Sequence, residues 1–325
     1  RELADQVQAA LTGHDHLEVL RDGDTVIART NLGRPERVVI AGHLDTVPLA
    51  GNLPSRVEGD LIYGRGTCDM KGGVAVMMAV AVAATTPARE LTWIFYDHEE
   101  VESSANSLTR IAATRPELLA GDFAVLMEPT SAAVEGGCQG TLRFTVTTSG
   151  RAAHSARAWM GHNAIHDAAD VLARLRAHEA EQPEVDGLRY HEGLNAVAIS
   201  GGIAGNVIPD TCTISVNYRF APHRSVQQAM DYCRAVLPDH ELTFVDAAAG
   251  ARPGLDLPAA ADFVAAVGGQ PTAKFGWTDV ARFSALGIPA VNFGPGNPSK
   301  AHADDEFCPV VDLFTCRDAL VRWLG

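Results

Sequence analysis

The sequence predicts an α/β protein: a mixed, mostly parallel sheet flanked by helices, with a smaller β-α-β-β-α-β unit inserted into it. Three observations predict this. Apolar strand-like runs alternate with helical patterns from residue 1 to about 135, the rhythm changes between about 140 and 248, and the first style returns afterwards. The opening segment "RELADQVQAAL" reads as a helix that Arg1 already stands inside, so a further amino-terminal segment is expected ahead of it. "LEVLRDGDTVIART" then reads as a hairpin, "VVIAG" as a strand buried on both faces, and "MKGGVAVMMAVAVAA" as an apolar helix. "ELTWIFYD" and "FAVLME" are further buried strands, separated by a helix that begins near residue 106.

In the insert the order is strand "TLRFTVTTS", helix "NAIHDAADVLARLRAHEA", strand "NAVAISGG", strand "TCTISVNYRF", helix "SVQQAMDYCRAVL" and strand "ELTFVDA". That order is the ferredoxin-like split unit. "SALGIPAVNFGPG" and the closing helix "CRDALVRWLG" restore the first pattern. The expected division is therefore a discontinuous body, residues 1–138 and 249–325, around an inserted domain, residues 139–248.

Composition narrows the function. With 46% hydrophobic residues in 325 and a mean hydropathy near zero, the chain can bury a large core. Acidic residues outnumber basic ones 40 to 26, a net charge of −14 that repels nucleic acid and anionic membrane surfaces. No apolar run reaches the roughly 20 residues of a membrane span, and no signal peptide is visible. The cysteines at 68, 138, 212, 233, 308 and 316 form neither C-x-x-C pairs nor a disulfide framework, so a reducing cytoplasm is expected. Small-molecule chemistry is what remains.

The chemistry-bearing side chains cluster at strand ends. "VVIAGHLDTVP" delivers His43 and Asp45 after a buried run, where ligands bind in open α/β sheets. "GRGTCDMKGG" places Asp69 in a Gly-rich turn before a helix, a position that by itself suits a helix cap. "FYDHEE" brings Glu99 and Glu100 to a strand end, and "VLMEP" does the same for Glu128. His302 stands in the polar loop "GPGNPSKAHADDEF". Each alone could be an exposed polar residue; together, imidazoles and carboxylates without thiolates suit a catalytic divalent-metal site, with donors enough for two ions.

The segments "GHLDTVP", "GRGTCDMKGG", "DHEE", "EPT", "GRAAHSA", "GNVIPD" and "AHADDEF" resemble, in order and over essentially the whole chain, the di-zinc aminoacylase/carboxypeptidase family of amidohydrolases. The resemblance implies a di-zinc peptidase-like catalytic domain and a lid that also serves for dimerisation. It implies two Zn²⁺ ions, with Co²⁺ a possible substitute, Asp69 bridging them, His43 and Glu128 completing one site and Glu100 and His302 the other. It makes Glu99 the catalytic base, Asp45 the orienter of His43, and the peptide after Asp69 cis. His154 would reach the carbonyl oxygen in the site of a second copy, in a homodimer formed through the insert. Asn206, Arg219, Thr278 and Asn297 become candidate substrate contacts. Within the family, "KFGWTDVARFSALGIPAVNFGPG" is most like the branch that hydrolyses N-succinyl-L,L-diaminopimelate. N-acetylornithine deacetylases and broader aminoacylases share every metal motif and are the alternative, and a metal-binding homologue without activity is the further one.

Overall fold

The structure is a computed structural model that describes residues 1–101 and 104–325. The chain divides into two compact units, one of residues 1–137, 253–274 and 278–325, the other of residues 138–252 with 275–277. The sequence pattern had left Phe275–Trp277 with the segments around them.

The first unit holds a sheet whose strands run in the order Glu18–Asp22, Thr25–Arg29, Glu90–Tyr96, Arg37–His43, Phe123–Leu126, Ala290–Asn292, Glu135–Gly136 and Thr272–Ala273. The central strands Glu90–Tyr96, Arg37–His43, Phe123–Leu126 and Ala290–Asn292 are mutually parallel, and the hairpin of the first two strands adds antiparallel to Glu90–Tyr96. Every residue of Glu90–Tyr96 and all but the first of Arg37–His43 are buried, as the continuous apolar runs require. One face supplies Val38, Ile40, Trp93, Phe95, Phe123 and Val125 to a core shared with the helices Glu2–Leu11, Lys71–Ala83, Pro258–Val267 and Val310–Leu324.

Helix Lys71–Ala83 starts close against the sheet. A Cβ at Gly73 would stand 2.4 Å from the Met127 carbonyl oxygen, and one at Gly72 2.7 Å from that of Thr67. The Gly-Gly pair is thus what lets the turn bearing Asp69 approach the strand end bearing Glu128.

The second unit is an antiparallel sheet in the order Gly193–Gly201, Thr211–Phe220, Gly140–Ser149, Leu242–Ala248. Burial alternates along Gly140–Ser149 and Thr211–Phe220, so one face packs on the helices Ala164–Ala177 and Val226–Val236. Leu142, Phe144, Val146, Ile214, Val216 and Tyr218 meet Val171, Ala229 and Cys233 in its core. Strands and helices follow the β-α-β-β-α-β order.

Candidate metal centre

Parallel pairing sets three strand ends side by side. His43 is the last residue of its strand and lies in register with Tyr96, while Ala41 is in register with Leu126. The chain turns after Tyr96, with His98 at φ +64°, and so brings Glu99 and Glu100 back over the same edge. Glu128 follows Leu126 by two residues. Asp69 comes from the turn before helix Lys71–Ala83, where the Asp69–Met70 peptide is cis as expected. His302 comes from the loop after Ala290–Asn292.

These side chains converge. His43 Nε2 stands 3.1 Å from Asp69 Oδ1, and His302 Nε2 stands 3.3 Å from Asp69 Oδ2 and 3.0 Å from Glu100 Oε1. Each oxygen of Asp69 therefore faces a different imidazole. Ligand atoms of His43, Asp69 and Glu100 all lie within 4.8 Å of one another.

Asp45 behaves differently from the expectation. The strand stops at His43, so alternation no longer governs Asp45, and it is the Asp45 main-chain carbonyl that lies 3.0 Å from His43 Nδ1. Its carboxylate Oδ1 is 3.7 Å from that nitrogen. Instead, its two oxygens accept the N–H groups of Glu99 and Glu100, each at 3.1 Å. Asp45 thus holds the histidine with its backbone and the glutamate turn with its side chain.

The charges are poorly compensated by the protein itself. Burial and the charge of Asp69 push the Glu128 carboxyl up to about 7. Burial and the charge of Glu128 raise Glu99 well above the usual carboxylate range. Asp69 is held below that range: burial opposes this, but hydrogen bonds from His302 and His43 prevail. Hydrogen bonds to Asp69 and Glu100 raise His302 to about 10. Burial alone would depress His43, yet the Asp69 hydrogen bond and the surrounding carboxylates bring it well above its ordinary value. Glu128 Oε1 is buried without a hydrogen-bond partner among the described residues. An orphaned carboxylate oxygen, imidazoles and further carboxylates around one point form a donor set that fits divalent cations.

Of the other candidates, Thr278 and Asn297 belong to the first unit, where the Asn297 carbonyl lies 3.2 Å from Cys68 Sγ, beside Asp69. His154, Asn206 and Arg219 belong to the second unit. There the exposed His154 accepts the Ala156 N–H at Nδ1, 3.0 Å, and the Asn206 carbonyl accepts the Ser155 N–H at 2.9 Å. Arg219 is half-buried in strand Thr211–Phe220, without a carboxylate partner among the described residues. Thr278 is buried and its hydroxyl donates to Asn292 Oδ1 at 2.8 Å. Asn297 Oδ1 accepts the Ser299 N–H at 2.9 Å and caps a short helical turn.

Sequence reasoning passed over three buried charges. Glu306 accepts the N–H groups of Cys68 and Asp69. Lys274 donates to the Pro129 carbonyl at 3.0 Å and pairs with Glu135 at 2.9 Å. Asp279 accepts from the Asn106 amide at 3.0 Å. Glu306 was visible in the motif "AHADDEF", four residues after His302; the other two had no local signal.

Residues 39–325 match peptidase family M20/M25/M40, and the chain belongs to that family. It is a metal-dependent hydrolase. A Mycobacterium tuberculosis protein carrying the provisional name succinyl-diaminopimelate desuccinylase DapE is 52% identical over 99% of this chain and 92% of its own. The succinyl-diaminopimelate desuccinylase of Corynebacterium glutamicum is 45% identical over 100% of this chain and 91% of its own. The fold is shared with a Bacillus subtilis protein described as a dinuclear metal-binding peptidase of family M20, at a TM-score of 0.72, 17% identity, and 99% and 90% coverage of this chain and that one.

Proposed function

We propose that the chain hydrolyses the amide bond of N-succinyl-L,L-2,6-diaminopimelate, giving succinate and L,L-diaminopimelate. The observation that carries this reading is the convergence of His43, Asp69, Glu100, Glu128 and His302, with Glu128 Oε1 unpartnered, in a chain so similar to two proteins bearing the desuccinylase name.

His43, Glu128 and one oxygen of Asp69 would hold one Zn²⁺, and Glu100, His302 and the other oxygen a second, with Co²⁺ able to replace them. Bound there, the cations supply the positive charge that acidifies a water molecule and polarises an amide carbonyl. Glu99 is the base: it carries a raised proton affinity, and its carboxylate has no hydrogen-bond partner among the described residues. It takes the proton of the attacking water and returns it to the departing amine, so one water is consumed and the C–N bond breaks. Asp45 fixes the turn from which Glu99 acts. Arg219, half-buried and in no salt bridge among the described residues, is suited to a substrate carboxylate, with Asn206 and the Asn297 amide nitrogen as further polar contacts.

The second unit is read as the lid and the dimerisation domain. Strand Gly193–Gly201 is an edge of its sheet, with Val197 62% and Ile199 51% exposed, a surface fitted to pairing with a second copy. His154 then serves the carbonyl oxygen in that copy's site. The six cysteines are buried and none is in a disulfide among the described residues, which fits a cytoplasmic enzyme. Among the described residues no helix is long and apolar enough to cross a membrane.

The deciding experiment compares zinc-loaded protein on N-succinyl-L,L-diaminopimelate and on N-acetyl-L-ornithine. The expected outcome is a kcat/KM higher on the succinyl substrate by two orders of magnitude or more, about 3 kcal/mol of transition-state discrimination. The reverse preference would assign the chain to the acetyl-amino-acid deacylases.

A further inference from the structure

Glu306 points no oxygen at the cluster of His43, Asp69, Glu100, Glu128 and His302, yet it is 1% exposed and both its oxygens are engaged. Oε1 accepts the main-chain N–H of Cys68 at 3.0 Å and of Asp69 at 3.1 Å. Oε2 accepts from Arg65 Nη1 at 2.9 Å, in an ion pair whose side chains are 3% and 1% exposed. The same nitrogen of Arg65 donates to the carbonyl of Ala303 at 3.3 Å, and Ala303 follows His302. The backbone joins in: Gly64 N–H donates to the Glu306 carbonyl at 3.1 Å, continuing the antiparallel pairing of Leu61–Tyr63 with Phe307–Pro309.

The turn that carries Asp69 and the loop that carries His302 are therefore laced together by one buried ion pair, across 241 positions of sequence. The His302 side chain is 54% exposed and its backbone sits at φ +64°. Packing of the imidazole cannot fix its place; its main chain must. Asp69 has the same need, because each of its oxygens serves a different histidine.

We infer that Glu306 and Arg65 are a positioning pair that sets the distance between Asp69 and His302 and with it the affinity of the centre for its second cation. The inference rests on the reading of this cluster as a two-cation centre. Residues that orient ligands from outside the coordination sphere are worth about 10- to 100-fold in metal affinity. A buried carboxylate that accepts the N–H of a ligand residue while anchoring the neighbouring ligand's loop has that role on two sides at once.

The test measures stepwise zinc affinity of the full chain by competition with a chromophoric chelator, beside denaturant unfolding of the metal-free protein. Glu306→Gln keeps an oxygen for the two N–H groups but removes the charge that faces Arg65. It should bind one of its two zinc ions about 10- to 100-fold more weakly, while at saturating zinc KM stays unchanged and kcat returns close to the wild-type value. Arg65→Lys keeps a cation on a shorter side chain, whose ammonium falls short of the place of Nη1, the nitrogen that serves both Glu306 and Ala303, and should show the same selective loss if the glutamine variant does not fold. Glu192→Gln is the control. That carboxylate is also buried and bonded, to Tyr218, Ala221 and Arg224, but in the second unit; its loss should lower the unfolding midpoint and leave zinc binding untouched. If Glu306→Gln and Arg65→Lys unfold earlier yet bind both zinc ions as tightly as the wild type, the pair is only structural and the inference falls. Wild-type protein that takes up no zinc would overturn the two-cation reading and this inference with it.

Discussion

Two glutamates at opposite ends of one sheet are exposed to the same small extent and behave in opposite ways. Glu90 opens strand Glu90–Tyr96 and is 5% exposed; Glu128 follows the end of the neighbouring strand system and is 6% exposed. At Glu90, burial alone would raise the proton affinity. The Thr30 hydroxyl at 2.5 Å and the N–H groups of Arg34 at 3.0 Å and Leu32 at 2.5 Å outweigh it, and the carboxyl sits below its ordinary range. At Glu128, burial is joined by the charge of Asp69, one oxygen has no partner among the described residues, and the carboxyl rises to about 7. The difference lies in how deep each carboxyl sits beneath the surface and in its partners. At the amino ends of the parallel strands the protein satisfies its own buried charge; at the carboxyl ends it leaves charge for a ligand to satisfy.

The largest effect that could break this division is at Glu99. Glu99→Gln should lower kcat by about 10² to 10⁴ while zinc stoichiometry stays at the wild-type value, because it removes a base and spares the ligands. If the proposed dimer forms and His154 acts across it, mixing with His154→Ala chains should restore up to half the wild-type activity, since one site of each hybrid then has both groups intact. A near-normal kcat in Glu99→Gln would remove the base from the mechanism. Next comes Glu128→Gln. Zinc affinity should fall at least about tenfold, whereas metal-free protein should unfold no earlier than the wild type, because a carboxylate crowded by Asp69 contributes nothing to folding that its amide lacks. Earlier unfolding without zinc would mean that Glu128 is a structural acid after all.

How far the sequence reached follows from what each feature depends on. The continuous apolar runs "VVIAG" and "LTWIFY" and the alternation in "TLRFTVTTS" are local patterns of burial, and the strands fall where those patterns place them. His43, Glu100 and Glu128 were legible because each follows such a run at a strand end; Asp69, in a Gly-rich turn, and His302, in a polar loop, stood out only beside them. Their assignment to particular ions, and the cis peptide, came only with the family resemblance. The resemblance made Asp45 the orienter of His43, and only the fold shows that the strand stops at His43, so that the Asp45 carbonyl meets the imidazole and its carboxylate holds the Glu99 turn. Thr278 entered as a substrate contact only through the resemblance, and nothing local reveals that its hydroxyl donates to Asn292. Glu306 stood in the motif "AHADDEF" but, like Lys274, has partners set by tertiary approach, so its place in the sequence did not show that it is buried.

The smallest effect concerns the satisfied end, and it separates stability from function. Glu90→Gln keeps size and shape but presents an amide to donors that need an acceptor: the Thr30 hydroxyl, the Leu32 and Arg34 N–H groups, and the Arg37 guanidinium 3.7 Å away. Loss of hydrogen bonds to a charged acceptor should cost about 1.5–3 kcal/mol of unfolding free energy at neutral pH, with kcat and zinc affinity unchanged. The pH dependence fixes the cause. Glu90 is held below its ordinary value of 4.5 in the folded protein, so the folded state binds its proton less readily than the unfolded chain does. Its contribution is complete above that value and is lost as the pH falls through the depressed folded one. The wild type should therefore lose its advantage over Glu90→Gln on acidification below about pH 4.5, until the two unfold at similar denaturant concentrations. A stability gap that stayed constant down that acid limb would show the variant to be failing through packing rather than charge, and the contrast between the two ends of the sheet would lose its electrostatic basis.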